Sequence, residues 1–405
     1  MKSHTLPRQL ASVHLTRPVS RSSTTKLAFL LPLDRRRCIS AYGYTQAKSL
    51  IFSKHGEPRD VLSMHSHSLS PPHGTLLTLR TLAAPLNPAD INQIQGTYPA
   101  RPSLTTSLGT STLAAVPGNE AVFEVLAAGS GAKTVQKGDW VIAAQTGLGT
   151  WRTHLQVDEA QVLRVEKDGL RPEQAATVGV NPVTAWRMLT DFVGLDAHRD
   201  DWLIQNGANS GVGRAVIQLA KRWGWRNIAV VRDRKSAEEG KALRRELEEL
   251  GATKVVFERE LVNRDFRDRV KEWTHGGRDR IRLALNCVGG NRTAAMCKVL
   301  APGSHVVTYG AMSKQPLPVP ASQLIFSDFV FRGFWVSRWS NAHPEEKLKT
   351  VQSVLDMYRE GSLKDVPYAK VPWEWETKQE ELVEAVQGTL EGYREGKGIF
   401  MFGDT

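Results

Sequence analysis

Cysteine is nearly missing from this 405-residue chain: Cys38, Cys287 and Cys297 are the whole complement, with no Cys-x-x-Cys pair. A disulfide framework and a cysteine-built structural zinc site are therefore excluded. No apolar run approaches the roughly 18 residues that a membrane-crossing helix needs, so a helical span is excluded too. The eleven histidines do not recur at metal-ligand spacing. His65, His67 and His73 lie in a polar, proline-bounded stretch and read as surface residues. Acids are scarce in one place. Residues 1–46 hold eight Lys and Arg but a single acid, Asp34. That segment carries +7 of the net +11 and leaves about +4 for the remaining chain. Charge so diffuse does not form the basic stripe with exposed aromatics that a nucleic-acid binder needs.

An arginine-rich, serine-rich, acid-poor N-terminus has the composition of a mitochondrial transit peptide. Residues 1–46 are expected to serve as one, which places the mature protein in the mitochondrial matrix. Length alone suggests two domains. Residues 47–166 alternate short strand-like runs (Leu76–Leu82, Ala121–Leu126, Trp140–Ala143) with Gly and Pro turn signals, as a small barrel or sandwich does. A helical apolar pattern covers residues 173–190. From Trp202 to Phe334 strands and helices alternate, with strands expected at Trp202–Gln205, Ile228–Val231, Lys254–Phe257, Leu283–Cys287, His305–Tyr309 and Val330–Gly333. Repeated β-α units of this length imply a doubly wound parallel sheet covered by helices on both faces. Two further helices, near 345–359 and 380–390, and a final strand at Gly398–Phe402 follow.

The strand Leu203–Asn206 runs into Gly207-Ala208-Asn209-Ser210-Gly211-Val212-Gly213 and then into an amphipathic helix. Glycines let backbone approach a pyrophosphate, and the helix N-terminus offers free N–H groups to the anion. Where NAD-binding folds usually end the next strand in an acid for the ribose hydroxyls, this chain has Arg232-Asp233-Arg234. Two guanidiniums suit a 2′-phosphate, which favours NADPH.

The order of a β-rich part and a dinucleotide part, with Pro117-Gly118-Asn119-Glu120 and Lys137-Gly138-Asp139-Trp140-Val141, resembles the medium-chain dehydrogenase/reductase superfamily. Zinc alcohol dehydrogenases of that superfamily carry a ligand histidine where Asn119 stands. With no cysteine between Cys38 and Cys287, no zinc set is expected. Hydride transfer without metal suits a conjugated C=C–C=O, provided the enolate is stabilised and its α-carbon protonated.

The segment Asn87-Pro88-Ala89-Asp90-Ile91-Asn92-Gln93-Ile94-Gln95-Gly96-Thr97-Tyr98-Pro99 resembles the signature of mitochondrial trans-2-enoyl thioester (enoyl-acyl-carrier-protein) reductases. Asn206–Gly213, Val231–Arg234, Leu285–Gly290, Val307–Met312 and Arg332–Trp335 agree with it, in order, across nearly all of residues 47–405. The resemblance implies a GroES-like catalytic domain (47–181 and 337–405) and a Rossmann NADPH domain (182–336). It implies Tyr98 as proton donor. It also implies cofactor contacts at Asn181, Asn209, Ser210, Gly211, Val212, Arg232, Asp233, Arg234, Tyr309, Gly310, Ala311, Met312, Phe334, Trp335, Val336 and Lys397. The implied substrate is an enoyl group on acyl carrier protein, and the implied assembly a homodimer. Two competing expectations are a zinc-free NADPH:quinone reductase on the same architecture and a non-enzymatic binder of nucleic acid or a transcription partner.

Overall fold

A computed structural model of the chain describes residues 43–391, 396–403 and 405. The expected transit peptide falls, but for its last four residues, outside them. Seven strands open the described chain: β1 (Thr45–Ile51), β2 (Ser63–Leu69), β3 (Leu76–Pro85), β4 (Val122–Ala128), β5 (Trp140–Ala143), β6 (His154–Asp158) and β7 (Val162–Val165). Six parallel strands follow: β8 (Trp202–Gln205), β9 (Arg226–Val231), β10 (Lys254–Phe257), β11 (Ile281–Asn286), β12 (His305–Thr308) and β13 (Val330–Gly333). The last two are β14 (Tyr368–Trp373) and β15 (Lys397–Phe402).

The parallel sheet has the order β10-β9-β8-β11-β12-β13. All four residues of β8, and all but one each of β9 and β11, are buried. This is the burial expected of strands with helices on both faces. The order reverses between β8 and β11, which opens a crevice beyond their carboxyl ends, the usual ligand position in such sheets. The second large sheet runs β14-β15-β3-β4-β5-β7, with β6 also on β3. β1 and β2 form a separate antiparallel pair.

Two local expectations needed correction. The helical pattern over 173–190 is two helices, Pro172–Thr177 and Asn181–Thr190, separated at Val178-Gly179-Val180. His65 and His67 are not surface loop residues. They lie on β2, half-buried and stacked with ring centroids 5.7 Å apart. His67 stands near Arg152 and its ring nitrogens are buried; burial, then that charge, pushes its pKa down to about 4.

Candidate active site

At the carboxyl end of β8 the chain turns at Gly207 and enters the helix Gly211–Arg222. The Ser210 hydroxyl caps this helix by accepting from the Gly213 N–H at 3.1 Å. A Cβ on Gly213 would sit 2.6 Å from the Ala208 backbone, and one on Gly211 would sit 2.5 Å from the Asn181 side-chain nitrogen. Glycine at these positions lets the helix start pack against the turn and against Asn181, and the helix's free N–H groups suit a pyrophosphate. The Asn209 side-chain oxygen accepts from the buried Arg214 at 2.7 Å, and Arg214 also pairs with Glu246.

Asparagines tie the strand ends together across the crevice. Asn206 donates to Asn286 at 2.8 Å and accepts from the Cys287 N–H at 2.8 Å. Asn286 donates to Thr308 at 3.1 Å. Tyr309 follows β12 beside Cys287 and Ser210, and burial raises its hydroxyl well above the usual tyrosine value. Gly310 passes so close to Cys287 that a Cβ would lie 3.2 Å away. Ala311 and Met312 are exposed. Arg232, Asp233 and Arg234 follow β9, with the Asp233 carboxylate 3.3 Å from Arg259.

Phe334 continues from β13, is buried, and meets Phe192 edge-on. Its N–H bonds the Thr308 carbonyl at 2.9 Å, which keeps the next residue, Trp335, at the carboxyl edge of the sheet. Val336 opens the helix Val336–Ala342. Here the two halves of the chain meet: the Trp335 indole N–H donates to the Tyr98 oxygen at 2.8 Å, with the rings edge-on at 5.9 Å. Burial raises the Tyr98 phenol above its usual value, the Trp335 hydrogen bond opposes the rise, and the nearby Asp90 charge adds to it. The oxygen accepts from Trp335, so its own proton is free to be given to a substrate atom.

Under Tyr98 lies a buried polar cluster. The Asp90 carboxylate accepts from the Asn87 N–H at 2.7 Å and from the Asn119 amide at 2.5 Å. The Glu120 carboxylate accepts from the Asn87 amide at 2.8 Å and the Val180 N–H at 2.7 Å. Lys397, first in β15, donates to the Asn87 amide oxygen. Burial pushes Asp90 up to about 7, opposed by the two hydrogen bonds. Burial likewise raises Glu120 and lowers Lys397. Asn119 stands among amides, two carboxyls and an ammonium, with its nitrogen donating to Asp90 and Gln93. That set does not fit zinc, and among the described residues no three His, Cys, Asp or Glu converge as metal ligands.

The structure thus gathers Tyr98, Trp335, Phe334, Tyr309, Ser210 and Asn181 about one crevice. Arg232 and Arg234 lie one strand away. Lys397 is committed to the buried cluster. Ser337 was missed from sequence, and Asn206, Asn286, Asn87 and Asn119, though they lie in segments named there, were given no role of their own.

Residues 74–167 match the alcohol dehydrogenase GroES-like domain, and residues 211–353 match the zinc-binding dehydrogenase domain. A GroES-like β-rich domain joined to a six-stranded parallel cofactor sheet places the chain among the medium-chain dehydrogenases/reductases. The mitochondrial enoyl-acyl-carrier-protein reductase of Schizosaccharomyces pombe is 39% identical over 379 residues, covering 93% of this chain and 100% of that one. The chain belongs to the mitochondrial enoyl-acyl-carrier-protein reductase family. A solved heterodimer of the mitochondrial 2-enoyl thioester reductases Etr1p and Etr2p from Candida tropicalis is 36% identical with a TM-score of 0.83, covering 88% of this chain and 99% of that chain. A solved complex of Etr1p with NADP and crotonyl-CoA has the same identity, score and coverage.

Proposed function

We propose that this protein reduces trans-2-enoyl thioesters to acyl thioesters with NADPH, acting on enoyl groups carried by acyl carrier protein in the mitochondrial matrix. The single observation that carries this reading is the Tyr98–Trp335 hydrogen bond at 2.8 Å, which presents a half-buried phenol at the carboxyl edge of the cofactor sheet. The relatives' names and the Etr1p complex support the substrate class and the cofactor.

Asn209, Ser210, Gly211 and Val212, with the helix N-terminus behind them, would cradle the pyrophosphate. Arg232 and Arg234 would hold the 2′-phosphate, with Asp233 turned to Arg259. Asn181, Tyr309 to Met312 and Phe334 to Val336 would line the nicotinamide end. We assign Lys397 a supporting place beneath the site, through Asn87, in keeping with where its ammonium lies. Bound NADPH supplies hydride to the substrate β-carbon. The C=C electron pair then passes through the α-carbon onto the thioester oxygen, giving an enolate. Tyr98 gives its proton to the α-carbon, the new C–H bond replaces the enolate, and the tyrosinate regains a proton from water. Trp335 holds the phenol oxygen throughout.

The domain division we favour is 47–181 with 337–405 as the catalytic part and 182–336 as the cofactor part. A homodimer is supported by the Etr1p/Etr2p assembly and by exposed Leu324, Ile325 and Phe326 just before β13, the outermost strand of the parallel sheet. The test is oxidation of NADPH and of NADH by residues 47–405, with trans-2-hexenoyl-CoA against a quinone. NADPH oxidation with the thioester is expected, and activity on the quinone alone would overturn the reading. Tyr98→Phe should lower turnover by at least about 100-fold, the usual worth of a positioned general acid, with NADPH affinity unchanged.

A further inference from the structure

An aspartate in the first turn of a helix ordinarily caps it from the surface. Asp90, in the helix Pro88–Ile94, is fully buried and spends only one oxygen on the cap, accepting from the Asn87 N–H. Its second oxygen accepts from Asn119. The same Asn119 nitrogen also donates to the Gln93 oxygen at 2.7 Å. Gln93 in turn donates to the Ala100 carbonyl at 3.0 Å. Ala100 lies two residues beyond Tyr98. The other side of that loop is fixed to the same helix, because the Thr97 and Tyr98 N–H groups both bond the Asn92 carbonyl, at 2.9 and 3.1 Å. The loop that carries the phenol is thus clamped at both ends to one short helix. One clamp passes through side chains alone, and every side chain in it is buried.

The chemistry of the chain explains why a carboxylate is needed. Both Asp90 oxygens face N–H donors, so the position demands an acceptor at each. An amide would turn its own donors against one of them. The Lys397 ammonium stands in the same cluster and favours that charge, against burial and the neighbouring Glu120 carboxyl, which oppose it.

We propose that Asp90 is a positioning residue for Tyr98, acting through Asn119 and Gln93 to hold the phenol in line with the substrate α-carbon. This rests on the reading of Tyr98 as proton donor. A displacement of about an ångström at a reacting group can cost on the order of 100-fold.

The test compares the full-length chain with Asp90→Asn, Gln93→Met and the exchange Asp90→Asn/Asn119→Asp. Gln93→Met cuts the last link without touching the helix cap, so it answers the question if Asp90→Asn does not fold. Both single variants should lose roughly 10- to 100-fold in kcat on crotonyl-CoA, with KM for NADPH unchanged. The exchange remakes the 90–119 bond with the donor reversed, but an aspartate at 119 has no N–H for the Gln93 oxygen, so the loss should persist. In a Tyr98→Phe background neither single variant should cost anything further. Tyrosine-ring 13C NMR, with the Tyr98 signal assigned by its loss in Tyr98→Phe, should show that signal shifted or broadened in both single variants. That readout stands whether or not the wild type reduces crotonyl-CoA, so failure of the proposed reaction is distinguishable from failure of the clamp. Turnover within twofold of wild type in Gln93→Met, an unmoved Tyr98 signal, or an equal loss in the Tyr98→Phe background would overturn the proposal.

Discussion

Trp335→Phe removes one atom group of consequence, the indole N–H that donates to Tyr98 at 2.8 Å, and keeps an aromatic ring for the edge-on contact at 5.9 Å. In the resting state the bond joins two neutral groups and contributes about 0.5–1.5 kcal/mol. As the phenol proton leaves, the oxygen gains negative charge, and a hydrogen bond to a charged group contributes about 1.5–3 kcal/mol. The surplus belongs to the transition state alone and so appears in kcat. That surplus is about 1–1.5 kcal/mol, and at about 1.4 kcal/mol per decade kcat should fall roughly 5- to 13-fold. The assay is initial-rate oxidation of NADPH with crotonyl-CoA, repeated in the Tyr98→Phe background. That background lacks the accepting oxygen, so Trp335→Phe should cost nothing more there. A loss below twofold in the wild-type background, or an equal loss in both, would refute the reasoning.

His154 is 1% exposed on β6, and burial, with Arg80 nearby, pushes its pKa down to about 4. A lowered pKa in a base means that the unfolded chain takes up the proton first. Stability is therefore present above the unfolded value of 6.5 and lost as pH falls toward 4. Relative to His154→Gln, the wild type should lose about 2–3 kcal/mol of unfolding free energy between pH 7 and about pH 4.5 in urea titrations, and parallel losses would count against it. Arg234→Ala should raise the Kd for NADPH roughly tenfold or more and leave that for NADH unchanged, measured by fluorescence titration. Equal weakening of both would show that the residue does not face the 2′-phosphate.

Much of the cofactor half was legible because its signals are local. A strand, a glycine turn and an amphipathic helix sit within twenty residues. The observed helix begins at Gly211 rather than Gly213, because Ser210 supplies its cap. β2 escaped notice because Ser63-Met64-His65-Ser66-His67-Ser68-Leu69 has almost no apolar side chain to show an alternation, and its strand form depends on pairing with β1. The cluster under Tyr98 was invisible for a different reason. Asp90 and Asn119 are 29 positions apart, and Asn87 and Lys397 are 310 apart. Only the fold reveals that these side chains share one buried site. The Tyr98–Trp335 bond spans 237 positions and was equally out of reach, although both residues had been singled out separately.

The position of β15 has a consequence for synthesis. It lies inside the large mixed sheet, parallel to β14 and antiparallel to β3, with Phe400 wedged edge-on between Trp151 and Trp373 at 5.6 and 5.1 Å. The strand beside β3 is thus supplied from more than 300 positions later in the chain. A ribosome, or an import channel delivering this chain N-terminus first, releases β1 to β7 long before their missing neighbour arrives. The cofactor sheet, by contrast, is complete once residue 333 has emerged. Until residue 402 follows, the half that carries Tyr98 presents an open sheet edge, the kind of surface that recruits stray strands. A frameshift or stop that removed only the last ten residues would leave every proposed cofactor contact in the chain, and would still deny the tyrosine Lys397 and its finished scaffold.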